Sequence, residues 1–387
     1  MSSVTWIRAL RFRLAAAATA VALVAGLGGC TVAPDPPEQP PSLERLAEAL
    51  EDFGNGMHHD GAPAVLMQAK VRGEEWSRAS GVRSLDGGEA VEIDDPVHVA
   101  GVTESFVAVS VLKLAAEGRL GLEDSVSRHL PDFESTMHPP EPVTVRRLLQ
   151  HRSGMPDYVV PLLQQGSLGE VLATSRSHRE LLALAATRKW ERRLAQGFEY
   201  SASNYVALGM IVERLRGRPL ADVLRSGIIE PLGLTATRLT GTGPAPPTLV
   251  HGYVTASGGR LDVGYPAFHA GDPAGGLVSS VGDLNTFYAA LLQGRLVPAA
   301  MVTEMQSPHY ARYGLGIQRW NDTCTNNYYY GHTGDDVGYG TVSMSSADGS
   351  RQASVSLAYP PAPFSSTGNG IVEELTDMVE EALNASC

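Results

Sequence analysis

Strand-like segments lie at the two ends of this chain and not in its middle, and that distribution limits the folds open to it. Residues 63–73 read as a strand, 76–82 as its partner and 91–100 as a third, interrupted near Asp94-Asp95-Pro96. Strand patterns return only at 313–320, 339–345 and 352–359. Between them the spacing predicts helices at 102–117, 146–151, 180–188, 203–216 and 219–227, and another from Asp283 to Leu292. An amphipathic helix with Leu43, Leu46, Ala47, Leu50 and Phe53 on one face follows Ser42, and a last one spans 370–384. Strands so far apart in sequence bury their apolar faces together by sharing one sheet. The expected class is α+β: an antiparallel sheet flanked by helices from the N- and C-terminal segments, with an all-helical region of about 120–269 inserted.

The first residues read as a targeting segment. Arg8, Arg11 and Arg13 precede an apolar run from Leu14 to Leu27, too short and too alanine-rich for a membrane span. The run ends in Leu27-Gly28-Gly29-Cys30, which resembles a bacterial lipobox. The expectation is a signal peptide at 1–29, acylation of Cys30, a proline-rich tether at 30–41 and one folded domain at 42–387. The chain would then sit outside the cytoplasm, held to the membrane by lipid. Removing the segment, with its three arginines and no acid, takes the net charge from −12 to −15. Such a balance excludes nucleic acid as a partner, since phosphate binding needs clustered cations. With Cys30 acylated, Cys324 and Cys387 remain, and outside the cytoplasm two such cysteines tend to pair.

A set of short runs carries the functional signal. His98-Val-Ala-Gly101-Val-Thr-Glu104 opens an apolar helix that continues to Leu112-Lys-Leu-Ala-Ala-Glu-Gly, and Glu123 to Phe133 follows. Next come Val143-Thr-Val-Arg-Arg-Leu-Leu-Gln-His-Arg-Ser-Gly-Met-Pro156, Tyr200-Ser-Ala-Ser-Asn-Tyr-Val-Ala-Leu-Gly209, Pro231-Leu-Gly-Leu, Ala274-Gly-Gly-Leu-Val-Ser-Ser280 and Gly331-His-Thr-Gly334. In this order they resemble the landmarks of the class C β-lactamase and D-alanyl-D-alanine carboxypeptidase family, penicillin-binding-protein-like serine hydrolases. The resemblance runs from about Ser42 to the C-terminus and implies a β-lactamase/transpeptidase-like fold.

The family chemistry is acyl transfer and uses no cofactor or metal. A serine at a helix N-terminus attacks an amide or lactam carbonyl, a lysine three residues on helps deprotonate it, a tyrosine shuttles the proton and backbone N–H groups hold the oxyanion. Carried over residue by residue, the serine position is Gly101, the lysine position Glu104 and the asparagine of the Tyr-x-Asn motif Ala202. Tyr200 and His332 are the retained catalytic positions, with Thr333 and Gly334 completing the His-Thr-Gly strand. Glycine offers no nucleophile and glutamate reverses the lysine's charge, a change of several kcal/mol at about 4 Å and intermediate dielectric. The expectation is a non-catalytic binding or scaffolding protein for a peptidoglycan-related or peptide ligand. The alternative is a hydrolase of DD-carboxypeptidase, β-lactamase or esterase type with a non-standard nucleophile.

Ser110-Val-Leu-Lys113 repeats the Ser-x-x-Lys spacing. From Gly101 it is about 900° of helical rotation and about 13.5 Å of rise away, on the opposite face, and reads as a packed serine. Thr103 and Ser105 lie nearer without a lysine at the right spacing; Thr103 is the candidate for an improvised nucleophile. His58-His59-Asp60 reads as a loop, since adjacent histidines point apart and no partner cluster has ligand spacing. Glu104, Asp335 and Asp336, all facing the cleft, would make it anionic and hostile to carboxylate ligands; Glu104 paired with His332 would instead raise that histidine's pKa.

Overall fold

The computed structural model describes residues 42–190, 197–241, 244–256, 258–307, 312–365 and 370–387. The segments expected to be a signal peptide and a tether, with Cys30, lie outside them. The strands are β1 (Ala64–Val71), β2 (Glu74–Gly81), β3 (Val97–His98), β4 (Arg238–Leu239), β5 (Tyr253–Ala256), β6 (Gly259–Asp262), β7 (Leu277–Ser279), β8 (Gln318–Asp322), β9 (Asn327–Asp336), β10 (Tyr339–Ser346) and β11 (Arg351–Ala358). The two ends of the chain do share one sheet. Its order is β2-β1-β11-β10-β9-β8, antiparallel throughout, and β1 meets β11 from Ala64↔Ala358 to Val71↔Arg351.

Successive side chains point to opposite faces of a strand, so the pattern of β1 fixes two layers. Val65, Met67, Ala69 and Val71 join the core beneath α1 (Leu43–His59) and the C-terminal helix Ile371–Ala385, which supply Leu46, Leu50, Leu375, Val379 and Leu383. Gln68 points to the other face, where it accepts a hydrogen bond from Asn285 (3.0 Å) of the helix Val281–Leu292. A disulfide joins Cys324 to Cys387 with Cα atoms 5.6 Å apart, pinning the last residue beside the turn between β8 and β9. Closing a loop between cysteines 63 residues apart stabilises by up to about 4 kcal/mol on the chain-entropy account.

Beneath this second face runs α2 (Val102–Ala116). Its residues are apolar on nearly every side, and a helix of that kind is stable only when surrounded. Every residue from Val102 to Leu112 is buried, packed among Leu148, Tyr205, Val206, Leu208 and Phe287. The N-terminus of α2 therefore emerges at a fixed point between the end of β9 and the helical layer.

Three expectations shift. Of 91–100 only Val97–His98 is strand, and it pairs with β7 in a small sheet β3-β7-β4. The break falls where Pro96 removes a backbone donor and Asp95 binds the Arg83 guanidinium (2.7 Å). The strand expected from Tyr313 begins at Gln318, after a turn through Gly316 at φ +75. The middle region also contains β4, β5 and β6, which are too short to leave a period in the sequence. Among the described residues no helix is long and apolar enough to cross a membrane.

Candidate functional site

The site begins at the first turn of α2. Gly101 is the N-cap residue, and Ala100 before it holds a left-handed φ of +45, a conformation that favours glycine. Strand β9 comes close because Gly334 has no side chain: a β-carbon there would collide with the Val99 carbonyl. A β-carbon on Gly101 would lie 3.0 Å from the Thr333 carbonyl oxygen and 3.3 Å from His332 Cε1, tighter than ordinary packing. The position the resemblance gives to a nucleophile thus bears only hydrogen, and strand and helix have closed around it.

One turn inward, Glu104 is wholly buried. Its Oε2 accepts from Tyr313 (2.7 Å) and from His151 Nε2 (2.9 Å), and His332 Nε2 lies 3.6 Å away. The backbone N–H of Ser201 donates to His151 Nδ1 (3.2 Å). Tyr313 has one proton to give. Donated to Glu104, it leaves the phenol oxygen as an acceptor 3.0 Å from His332 Nε2, while His332 Nδ1 faces the Thr333 carbonyl. Burial pushes the Glu104 carboxyl up, but the His151 and His332 rings outweigh it and hold it at about 2. Oε1 has no hydrogen-bond partner. Tyr200 covers this cage, its ring centroid 4.6 Å from that of His151, and keeps 47 % of its surface exposed. Burial and then the Glu104 charge push its hydroxyl well above the ordinary phenol value, so it keeps its proton.

The cleft outside Gly101 encloses about 540 Å³. Tyr200, Gly101 and Ala202 line one side; Asp157, Asp272, Asp335, Asp336 and His269 line it elsewhere, with no lysine or arginine among the lining residues. His269 binds Asp336 (Nε2 to Oδ2, 2.7 Å). Burial opposes charge on that ring, but Asp336 and Asp272 prevail and push it up to about 10. His98, 5.5 Å away ring to ring, goes the other way, down to about 3, through burial and the neighbouring His269 charge. Burial raises Asp157 and Asp335; Asp335 accepts from Tyr359 (2.7 Å) and Asp157 from the backbone of Val159 and Ala202.

Of the residues singled out from sequence, Tyr200, Gly101, Ala202, Asp335 and Asp336 line this cleft. Glu104, His332, Thr333 and Gly334 are not among its lining residues. Glu104 is turned into the cage and pairs with His332, so the cleft's negative charge comes from aspartates. Thr103 is buried with Oγ1 accepting from the Leu277 N–H (3.0 Å), Ser105 donates to the Gly316 carbonyl (2.7 Å), and Ser110 to the Phe106 carbonyl (3.1 Å). Sequence reasoning did not single out His151, Tyr313, His269 or Asp272. His151 had one available signal, a polar residue ending the buried Leu148-Leu149 turn inside a quoted motif, in a left-handed conformation (φ +50). Among the described residues no group of three His, Cys, Asp or Glu could hold a metal ion, and His58 and His59 end α1 rather than forming a loop.

The Beta-lactamase family model matches residues 49–350. Penicillin-binding protein 4* of Bacillus subtilis (strain 168) is 28 % identical over 263 residues, 63 % of this chain and 56 % of that protein. Esterase EstB of Burkholderia gladioli is 32 % identical over 180 residues, 44 % of this chain and 45 % of the esterase. The chain spans about half the length of these curated relatives. The solved structure of a D-stereospecific amidohydrolase from Streptomyces sp. has a TM-score of 0.73 at 28 % identity, covering 88 % of this chain and 99 % of that one. A penicillin binding protein from Bacillus halodurans reaches 0.69 at 19 % identity, covering 88 % and 98 %, a likeness of fold. With a family match running from α1 to the start of the last strand, a β-lactamase/transpeptidase-like fold and serine hydrolase relatives, the chain belongs to the Beta-lactamase family.

Proposed function

We propose that this chain is a non-catalytic binding protein of the cell envelope, built on a serine hydrolase fold and held to the outer face of the membrane through a lipid on Cys30. One observation carries the reading. The first turn of α2 presents Gly101 to the cleft, and the hydroxyls of Thr103, Ser105 and Ser110 behind it are buried and bonded. Acyl transfer without an attacking oxygen loses essentially all covalent turnover. Charge supports the same reading. The lysine position holds a carboxylate, Tyr200 keeps its proton, and the cleft offers four aspartates against one histidine, itself paired with Asp336, where a carboxylate-ended stem peptide or β-lactam needs a free cation. Peptide or peptidoglycan-derived ligands with neutral or cationic ends suit it better.

The esterase and penicillin-binding relatives favour a second reading, a hydrolase with a non-standard nucleophile. A fluorescent penicillin and intact-mass measurement decide between them. The expected result is no labelling and no mass increase. A covalent adduct that disappears in Thr103→Ala or Ser110→Ala would establish the hydrolase instead.

A further inference from the structure

A buried donor and a carboxylate oxygen converge on one small notch in the cleft wall. The notch lies over Gly275, where a β-carbon would sit 3.4 Å from Asp272 Oδ2 and 3.7 Å from His269 Nδ1. Gly275 is not among the positive-φ residues, so its backbone does not demand glycine; the open space is what it contributes. His269 is 5 % exposed, and its Nδ1 has no hydrogen-bond partner. The nearest ionic atom, Asp272 Oδ2, is 3.9 Å away, beyond hydrogen-bonding range. Asp272 Oδ2 accepts one bond, from Tyr158 (3.1 Å), and Oδ1 accepts from the Ala274 N–H (3.0 Å), which leaves Oδ2 able to accept another. Nε2 of His269 is occupied by Asp336. Asp336 and Asp272 favour the imidazolium, in which Nδ1 also bears a proton; a buried N–H left without an acceptor is rare in folded proteins, and here it borders a cleft.

We propose that this notch receives the α-amino end of an amino-acid amide or of a peptide, with the ligand's ammonium on Asp272 Oδ2 and its carbonyl oxygen accepting from His269 Nδ1. The inference rests on the reading of the chain as a binding protein and deepens it. An ammonium nitrogen and the carbonyl oxygen of the same residue lie about 3 Å apart by covalent geometry, and so can meet two protein atoms 3.9 Å apart. A free carboxylate in place of the amide would face Asp157, Asp335 and Asp336, and the one cationic ring among the lining residues, His269, is already paired with Asp336. Leu163, Leu168, Phe268 and Phe364, also lining the cleft, give the first side chain an apolar surface.

Calorimetric titration of the full-length protein with phenylalaninamide tests this, with N-acetyl-phenylalaninamide, phenylalanine and Phe-Gly-Gly amide as comparisons. Phenylalaninamide is expected to bind, and acetylation of its amine to weaken binding by at least about tenfold through loss of a charge-assisted hydrogen bond. Phenylalanine is expected to bind more weakly than its amide. Tighter binding of the tripeptide amide would identify the source as a peptide, and equal binding as the single amino-acid amide. Gly275→Ala fills the notch at ordinary contact distance and should abolish binding with an unchanged melting temperature. Asp272→Asn, which keeps the shape, should weaken it as acetylation does. Equal affinity for the acetylated compound, undiminished binding by a folded Gly275→Ala protein, or no binding by any of the amines would overturn the proposal. Intact mass after each titration is read separately. An acyl adduct would overturn the non-catalytic reading, and loss of amine selectivity without an adduct would overturn only the notch.

Discussion

Two polar clusters flank Gly101, and they treat charge in opposite ways. The Glu104 cage is turned away from the cleft: Glu104 and His151 are wholly buried, their bonds run to one another, to Tyr313, to Ser201 and Asn204 and towards His332, and Glu104 Oε1 is left over inside it. The His269 wall is built of similar residue types, with Asp336 and Asp272 around an imidazolium, yet it lines the cleft and leaves a donor unused. The same chemistry holds four segments together in one place and offers itself to a ligand in the other. Exposure to the cleft makes the difference. The substitution that most changes the family's catalytic pattern has become interior structure, and the charges a ligand meets come from residues outside that pattern.

The largest expected effect breaks the cage. Glu104→Ala removes the carboxylate 3.6 Å from His332 and leaves buried donors unpaired, which should destabilise by about 3–5 kcal/mol, measured by urea denaturation. Glu104→Gln keeps the shape without the charge. A smaller loss than for alanine would separate hydrogen bonding from ion pairing, and equal losses would show that charge governs the cage.

The next effect comes from pH, and the clusters should respond at opposite ends of the scale. Glu104 is held at about 2 in the fold against 4.5 unfolded, so its contribution is present above 4.5 and is lost as pH falls towards 2. His269 is raised from 6.5 to about 10, so its contribution is complete below 6.5 and is lost as pH rises through 10. His98, lowered to about 3, adds to the weakening in acid because the unfolded chain takes up its proton first. Urea midpoints between pH 7 and 10 should fall in the wild-type protein and flatten in His269→Leu. A slope that survives the substitution would place the alkaline transition elsewhere.

The smallest effect concerns the closed space between α2 and β9. Gly101→Ser must move the Thr333 carbonyl by a few tenths of an ångström and should cost about 1–2 kcal/mol. The restored hydroxyl should still form no penicillin adduct, since Glu104 rather than lysine stands one turn away. Labelling of this single variant would mean that the cage tolerates catalysis and would erase the contrast between the two clusters.

The sequence carried the frame of the molecule more clearly than its site. The strand-like runs 63–73 and 352–359 announced two strands, and the strands that form there pair from Ala64↔Ala358 to Val71↔Arg351. The apolar circumference of α2 announced burial on every side. Position-by-position resemblance brought Gly101, Tyr200, Asp335 and Asp336 to one cleft. It could not tell which way Glu104 would turn, because its partners come from a turn at 151, a loop at 313 and a strand at 332. His269 lay in no recognisable pattern: a lone histidine after Ala267-Phe268 becomes a site only when β9 delivers Asp336 to its ring. The two-residue strands β3 and β4 were too short to show a period, and only their pairing with β7 defines them.

The cage around Glu104 also bears on how this chain could change. A lysine at position 104 would put an ammonium beside the buried His332 ring and deprive Tyr313 and His151 of their shared acceptor, so that single replacement should fold poorly before it could catalyse anything. A route back to an active hydrolase therefore passes through several simultaneous exchanges, at 101, 104 and among the aromatic partners. Directed selection for lactam resistance starting from this gene should stall unless those positions are varied together.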